Sequence, residues 1–371
     1  MSGPLYPAAR ASAARLAEHF ARHAPPPRPG ETAVARPDAA AIEALVDAAF
    51  WASLQREEGY VPEISLALLA PERAVRPLRL AAPLPLSPRA LSRLAPAVER
   101  PGIHLGVWPE GGEFFVWGTT RAVPTFCLVI EVLGPGLLVV KHRTREDSAK
   151  YRNVAVFEGE HVKFLGPGTA DGAEHPALLK AFFGPEGSAA TGEDDDTLLR
   201  LAVSMRAHKR GGTLLVVPSG TTGWRESIVQ PIAYAVEPPF AELAELVRGR
   251  EAPPGSLGRV VDAVAGLTAV DGATVISDGY ELLAFGVKIG RPDGRPRVER
   301  VSLSEPVEGG VATALLPVQV GGTRHISAAQ FAQDQPDAAA LVASQDGRFT
   351  VFAWSPREGL VHAHRVEMLL M

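Results

Sequence analysis

Gly211-Gly212-Thr213-Leu214-Leu215-Val216-Val217-Pro218 decides the fold of the second half of the chain. Five consecutive apolar or β-branched residues between a glycine pair and a proline read as a strand buried on both faces. A helix precedes it, over about Thr197 to Lys209, with Leu198, Leu201, Ala202 and Met205 as its apolar stripe and Gly211 as its stop. Further on, helices are expected near Phe240 to Arg248, Leu257 to Ala265 and Ser327 to Gln333. Strands are expected at Thr274 to Ile276, Leu282 to Ile289, Val311 to Val318, Ala339 to Ser344 and Phe349 to Trp354. Alternating helices and strands predict an α/β unit over residues 191–371, a mixed β-sheet flanked by helices.

The first half has a different rhythm. A helix over Ala8 to His23 is stopped by Pro25-Pro26-Pro27-Arg28-Pro29-Gly30, and a second helix, capped by Asp38, covers 39–56. Strand candidates follow at Ile64 to Leu68, Phe114 to Trp117, Phe126 to Leu133, Leu137 to His142, Val154 to Phe157 and His161 to Phe164. Gly134-Pro135-Gly136 and Glu158-Gly159-Glu160 read as hairpin turns. The expectation is a helical segment over 1–60, a β-rich α+β domain over 61–190, and a linker at Gly184 to Asp196.

Composition narrows the function classes. The chain has 371 residues, 46% of them hydrophobic and 21% charged, so it can bury a core without disulfides. Cys127 is its single cysteine, which excludes an intramolecular disulfide framework and a cysteine-rich zinc module. The net charge of −5 argues against a basic nucleic-acid binder. No apolar run has the ~18 residues of a membrane span. The expectation is a soluble cytoplasmic protein. Glycine (36) and proline (33) are in excess. No GxxxxGK[ST], HExxH, CxxC or GxSxG motif is present. His362 and His364 would share a face of a strand and could be two metal ligands, but with no third ligand nearby they read as an edge-strand pair. The acids Glu193 to Asp196 read as solvated linker, and Asp171-Gly172-Ala173 as a turn.

Three segments carry the chemistry. They are Gly211 to Pro218, Asp271-Gly272-Ala273, and Gly322-Thr323-Arg324-His325-Ile326-Ser327-Ala328, the last followed by a strand running to Ser344-Gln345-Asp346. Glycine ahead of a helix permits close backbone approach, and the helix presents free amides to an anion. Arg324 adds a fork of donors suited to phosphate, His325 a further hydrogen bond, and Asp271 a carboxylate for a divalent metal or a hydroxyl. An acid beside a phosphate cradle is the minimum for metal-assisted phosphoryl or nucleotidyl transfer.

The order of these segments resembles the diadenylate cyclase (DAC) domain family. Its members carry a G-A-L-I-V strand, D-G-A, G-T-R-H-R-x-A, and a strand ending in serine. The resemblance covers about residues 195–357, and residues 1–190 look like the accessory sensor units found ahead of such domains. It implies condensation of two ATP into cyclic di-AMP with loss of two pyrophosphates, by two protomers that each present one ATP. A homodimer or higher homo-oligomer is thus implied. Asp271 would lie beside the attacking hydroxyl and a Mg²⁺ or Mn²⁺ ion, with Arg324 and His325 as its catalytic companions. Gly272, Ala273, Gly322, Thr323 and Ser344 would bind ATP. The sequence departs from the pattern at Ile326, where the family has a second arginine, at Gln345, where it has an acid, and in the longer segment Gly290 to Gly321. Those departures keep open a catalytically impaired nucleotide-binding sensor. A module for an unknown ligand or partner in residues 1–190 is also open, motivated by Trp108 and Trp117 as exposed aromatics.

Overall fold

The apolar runs place themselves at the centres of two separate sheets. The computed structural model describes residues 5–23, 36–56, 59–143, 151–166 and 197–371. The proline run at 25–30, the turn at 171–173 and the linker at 184–196 lie outside these residues. The chain divides into two compact units between Gly166 and Pro167.

The first unit is built on a mixed eight-stranded sheet. Its strands are β1 (Ile64–Leu68), β2 (Leu78–Pro85), β3 (His104–Glu110), β4 (Glu113–Thr120), β5 (Leu128–Gly134), β6 (Leu137–Arg143), β7 (Tyr151–Glu158) and β8 (His161–Phe164), in spatial order β2-β4-β3-β1-β5-β6-β7-β8. All five residues of β1 are buried, as its central position requires. Helices α1 (Pro7–His23), α2 (Ala39–Ser53) and α3 (Pro88–Leu94) pack on one face. Leu16, Phe20, Ile42 and Leu45 share a single core with Leu66, Leu105, Ile130 and Phe157. The two N-terminal helices, read from sequence as a segment of their own, thus belong to the core of the sheet. Asp38 accepts from the Ala41 amide at 2.7 Å and starts α2. The opposite face carries a small apolar cluster of Ala67, Leu69, Val123, Cys127 and Val129.

Two strands here escaped the sequence. β2 is an edge strand, exposed along nearly all its length and broken in register between Arg79 and Leu84, so it carries no apolar alternation. Strand β3 contains Gly106 and Pro109, which disguise it. The tryptophans also need correction. Trp117 is buried and donates its indole N–H to the Leu69 carbonyl at 2.7 Å, and Trp108 is half-buried against the core. Neither is an exposed docking aromatic.

The second unit is a nine-stranded mixed sheet with helices on both faces. It contains β9 (Gly212–Val217), β10 (Tyr234–Phe240), β11 (Ala273–Ser277), β12 (Leu282–Val287), β13 (Val301–Ser304), β14 (Thr313–Leu315), β15 (Ala339–Ala343), β16 (Phe349–Ser355) and β17 (Leu360–Arg365). Their order is β10-β12-β11-β9-β15-β16-β17-β13-β14. Every residue of β9 is buried. Helices α4 (Thr197–Ala207), α5 (Glu242–Val247) and α6 (Ser256–Leu267) cover one face through Leu198, Leu201, Met205, Leu243, Val261 and Val264. After the short α7 (Pro317–Val320), α8 (Thr323–Asp334) covers the other through Ala328, Ala329, Phe331 and Ala332.

This is the expected α/β architecture behind a β-rich α+β unit, with local differences. The helix expected from Phe240 begins at Glu242, because residues up to Phe240 form edge strand β10. Only Thr313–Leu315 of the expected strand 311–318 pairs, and Pro317 opens a helical turn. His362 and His364 lie on β17, between β16 and β13, so they are not on an edge. His364 shares a 2.7 Å hydrogen bond with Ser304, and His362 approaches Glu358 at 2.9 Å. No described helix is long and apolar enough to cross a membrane.

Candidate nucleotide site

Register brings the three motif segments together. β11 runs parallel to β9 with Ala273 opposite Thr213, and β15 runs antiparallel with Ala343 opposite Gly212. Asp271-Gly272, Gly211-Gly212 and Ser344-Gln345 therefore meet at one end of the sheet, although more than a hundred residues separate Gly212 from Ser344. Helix α8 begins at the same end. Gly322 is its extended N-cap, and no side chain caps it.

Arg324 is exposed on the first turn and reaches the glycine pair. A Cβ on Gly211 would stand 3.0 Å from the Arg324 guanidinium and 3.3 Å from the Gln345 side chain. Gly211 also has φ +70, so it is required both for its conformation and for the space it leaves. Gln345 donates to the Arg210 carbonyl at 3.3 Å, closing over the same point.

Asp271 is nearly fully exposed. Its Oδ2 lies 2.6 Å from the Lys288 ammonium. The Lys288 hydrogen bond, the Lys288 charge and the more distant Arg324 charge hold its carboxyl below the usual range. Gly272 (φ +121) serves the sheet: a Cβ there would lie 2.5 Å from the Gly286 carbonyl carbon, so glycine lets the start of β11 meet β12. Ala273 is the buried first residue of β11.

The remaining motif residues divide into exposed and internal groups. Thr323 is exposed, and Ile326 is 36% exposed. Ser344 opens a tight turn in which its amide donates to Arg348 and its carbonyl accepts from Gly347. Slight burial pushes the Asp346 carboxyl up, but the Ser344 side chain and the Arg348 amide outweigh this and hold it low. His325 is different. It is 6% exposed, its ring meets Phe352 edge-on at 6.0 Å, and burial with the Arg365 charge holds it below the ordinary imidazole range. The structure thus gathers Asp271, Arg324, Thr323 and the Gly211 loop at an accessible edge and places His325 inside.

Lys288 was missed by sequence reasoning. The signal that could have found it was the antiparallel pairing of the two expected strands. Ala273 lies opposite Val287, so Lys288 falls beside Asp271.

Among the described residues, no three His, Cys, Asp or Glu side chains stand close enough to hold a metal by themselves. Asp271, ionised and accessible, fits a hard divalent cation that brings phosphate oxygens as its other ligands.

The first unit carries a contrasting polar cluster, on the face away from its helices. His104, 1% exposed, has Ser65 Oγ at 2.7 Å from Nδ1 and Tyr151 Oη at 3.0 Å from Nε2. Lys141 pairs with Glu131 at 2.6 Å and lies over the Tyr151 ring. Burial pushes His104 down to about 4 and Tyr151 up to about 12. Cys127 beside them is buried and raised to about 12, an inert thiol. At the far edge, an apolar cavity is lined by Leu78, Leu80, Leu94, Ile103, Leu105 and Arg121.

The fold and its open sheet end define the second unit as an α/β domain with a candidate anion site. Comparison with known proteins speaks to the first unit. Residues 31–121 match the family described as "Probable sensor domain DACNV". No curated protein matches the chain. Among solved structures, one titled as a hypothetical membrane spanning protein from Bacillus cereus aligns with 16% identity and a TM-score of 0.25, covering 50% of this chain and 67% of its own. A double mutant of DacA from Staphylococcus aureus aligns with 15% identity and a TM-score of 0.24, covering 47% of this chain and 86% of its own. Superposition at that level carries no functional weight.

Proposed function

We propose that the second unit binds ATP at the sheet end formed by Asp271, the Gly211 loop and Arg324, and that the chain is a diadenylate cyclase regulated by its first unit. The observation that supports this best is the convergence of Asp271 and Arg324 from segments over fifty residues apart onto one glycine-lined edge. The match of residues 31–121 to a sensor family supports the regulatory role of the first unit.

In this reading each step forms one bond between a 3′-oxygen and an α-phosphorus, breaks the α–β phosphoanhydride and releases pyrophosphate. Two such steps, between ATP molecules presented by facing protomers, close the cyclic dinucleotide. Arg324, Thr323 and the uncapped first turn of α8 hold phosphate oxygens. Ser344 lies at the same end and is assigned to phosphate binding with them. As the bond forms, the 3′-hydroxyl proton passes to water at the open sheet end, where Asp271 stands exposed. The role of Asp271 is to orient the hydroxyl and hold the cation. A bound Mg²⁺ or Mn²⁺ supplies charge neutralisation on the phosphates. His325, buried and held toward its neutral form, fixes the start of α8 rather than touching phosphate.

A second reading is a nucleotide sensor without turnover. Ile326, and Gln345 lying over Gly211, favour it. Full-length protein incubated with ATP and Mn²⁺ separates the two. Cyclic di-AMP and pyrophosphate are expected, with a loss of at least about 100-fold in Asp271→Asn. Saturable ATP binding without pyrophosphate release would establish the sensor instead.

A further inference from the structure

We propose that Lys288 is part of the nucleotide site: it holds Asp271 while the site is empty and turns to phosphate oxygens when ATP arrives. The inference rests on the nucleotide-binding reading above and adds a residue that no motif marks.

Three observations lead to it. The first is contact. Lys288 Nζ lies 2.6 Å from Asp271 Oδ2, and both side chains are open to solvent, 55% and 92% exposed. An exposed pair of this kind contributes little to folding, so neither partner is committed to the scaffold.

The second is mounting. β12 ends at Val287, yet the chain beyond it is held. The Lys288 carbonyl accepts from the Val229 amide at 2.8 Å, the Gly290 amide donates to the Ser227 carbonyl at 2.9 Å, and Ile289 bridges to Ile228. On its other side, Ala273 lies opposite Val287. The Lys288 backbone is thus fixed between two neighbours while its side chain stays free to move. That combination suits a point charge that changes partners.

The third is charge. A triphosphate brings several negative charges to this edge. The first turn of α8 meets it with Arg324 alone, because the next exposed position is Ile326. Arg348 also belongs to an exposed pair, with Asp346 at 3.5 Å, but it is Lys288 that stands at the Asp271 carboxylate. Lys288 is the further cation already placed at Asp271. When Asp271 turns to a divalent cation, Lys288 loses its partner and becomes available to the phosphates that arrive with that cation.

The arrangement predicts effects of opposite sign. Free Mn²⁺ has to displace Lys288 from Asp271, so Lys288→Met is expected to tighten binding of Mn²⁺ alone by about 2–3-fold. The same variant is expected to weaken ATP binding by about tenfold. Lys288→Arg is expected to keep ATP affinity within about 3-fold of wild type.

The test uses full-length protein. Mn²⁺ alone is titrated by the loss of its free EPR signal, and Mn²⁺-ATP by equilibrium dialysis, for wild type and both variants, with thermal melts confirming folding. Wild type that binds ATP, with Lys288→Met equal to it, would overturn the role of Lys288 and leave the nucleotide site standing. Wild type that binds no ATP would overturn both. Weakened ATP binding in Lys288→Met with no gain in Mn²⁺ affinity would overturn the exchange of partners.

Discussion

Each unit holds a lysine–carboxylate pair at 2.6 Å, and the two pairs have opposite surroundings. Lys141–Glu131 is sunk into a face of the first sheet, with side-chain exposures of 9% and 23%, beside a buried Ser65–His104–Tyr151 chain. Lys288–Asp271 stands in water at the end of the second sheet. The contrast shows that distance alone does not assign a role to an ion pair. In the interior each charge depends on its partner, since leaving one unpaired is costly. At the surface both groups remain available to a ligand. The buried set is bound into the fold, and the exposed set stands open to solvent.

Acid tests this most severely. His104 sits near 4 in the folded state against an ordinary 6.5, so between those values the unfolded chain binds more protons. Its contribution is therefore full above about pH 6.5 and is lost as pH falls toward 4, on the order of 3 kcal/mol in all. Urea midpoints followed across this window should fall for wild type and fall less for His104→Gln. Equal slopes would place the acid sensitivity elsewhere. His325, also lowered, adds a smaller loss of the same sign in both proteins.

Substitution of the two lysines sharpens the comparison directly. Lys141→Met leaves Glu131 without its cation and should cost about 2 kcal/mol, largely recovered when Glu131→Leu is added. Lys288→Met should leave the unfolding midpoint unchanged. If both lysines shift it equally, burial is not what separates the pairs. A smaller loss of stability than at Lys141 is expected at Gly211. Gly211→Ala strains φ +70 and crowds Arg324, costing about 1 kcal/mol of stability. It should also weaken ATP binding, whereas Gly220→Ala, also at positive φ but with open space around its Cβ position, should cost stability only.

What the sequence revealed follows the same division between interior and rim. β9, β11, β15 and β16 are apolar runs buried in the middle of a sheet, and the hairpin of β5 and β6 is marked by Gly134-Pro135-Gly136. Edge strands β2 and β10 were missed, because they are exposed and carry Pro83, Pro238 and Pro239, so neither alternation nor a continuous apolar run marks them. In the site, Asp271 and Arg324 were legible as motif residues, but Lys288 depends on a strand register that spacing does not give. The burial of His325 was hidden by the helix start. With α8 beginning at Thr323 rather than Ser327, His325 falls three and four residues before Ala328 and Ala329 and joins their inward face.

The segment between Gly290 and Gly321 has one more consequence. It supplies β13 and β14, which extend the sheet past β17 and finish it with a strand of only three residues. Without them the backbone of β17 would offer an open ladder to any passing chain. With them that rim is capped from within, by a terminator too short to template another strand. A self-association that joins sheets edge to edge is thereby discouraged on this flank. A chain approaching this flank therefore meets side chains rather than an open row of backbone donors and acceptors.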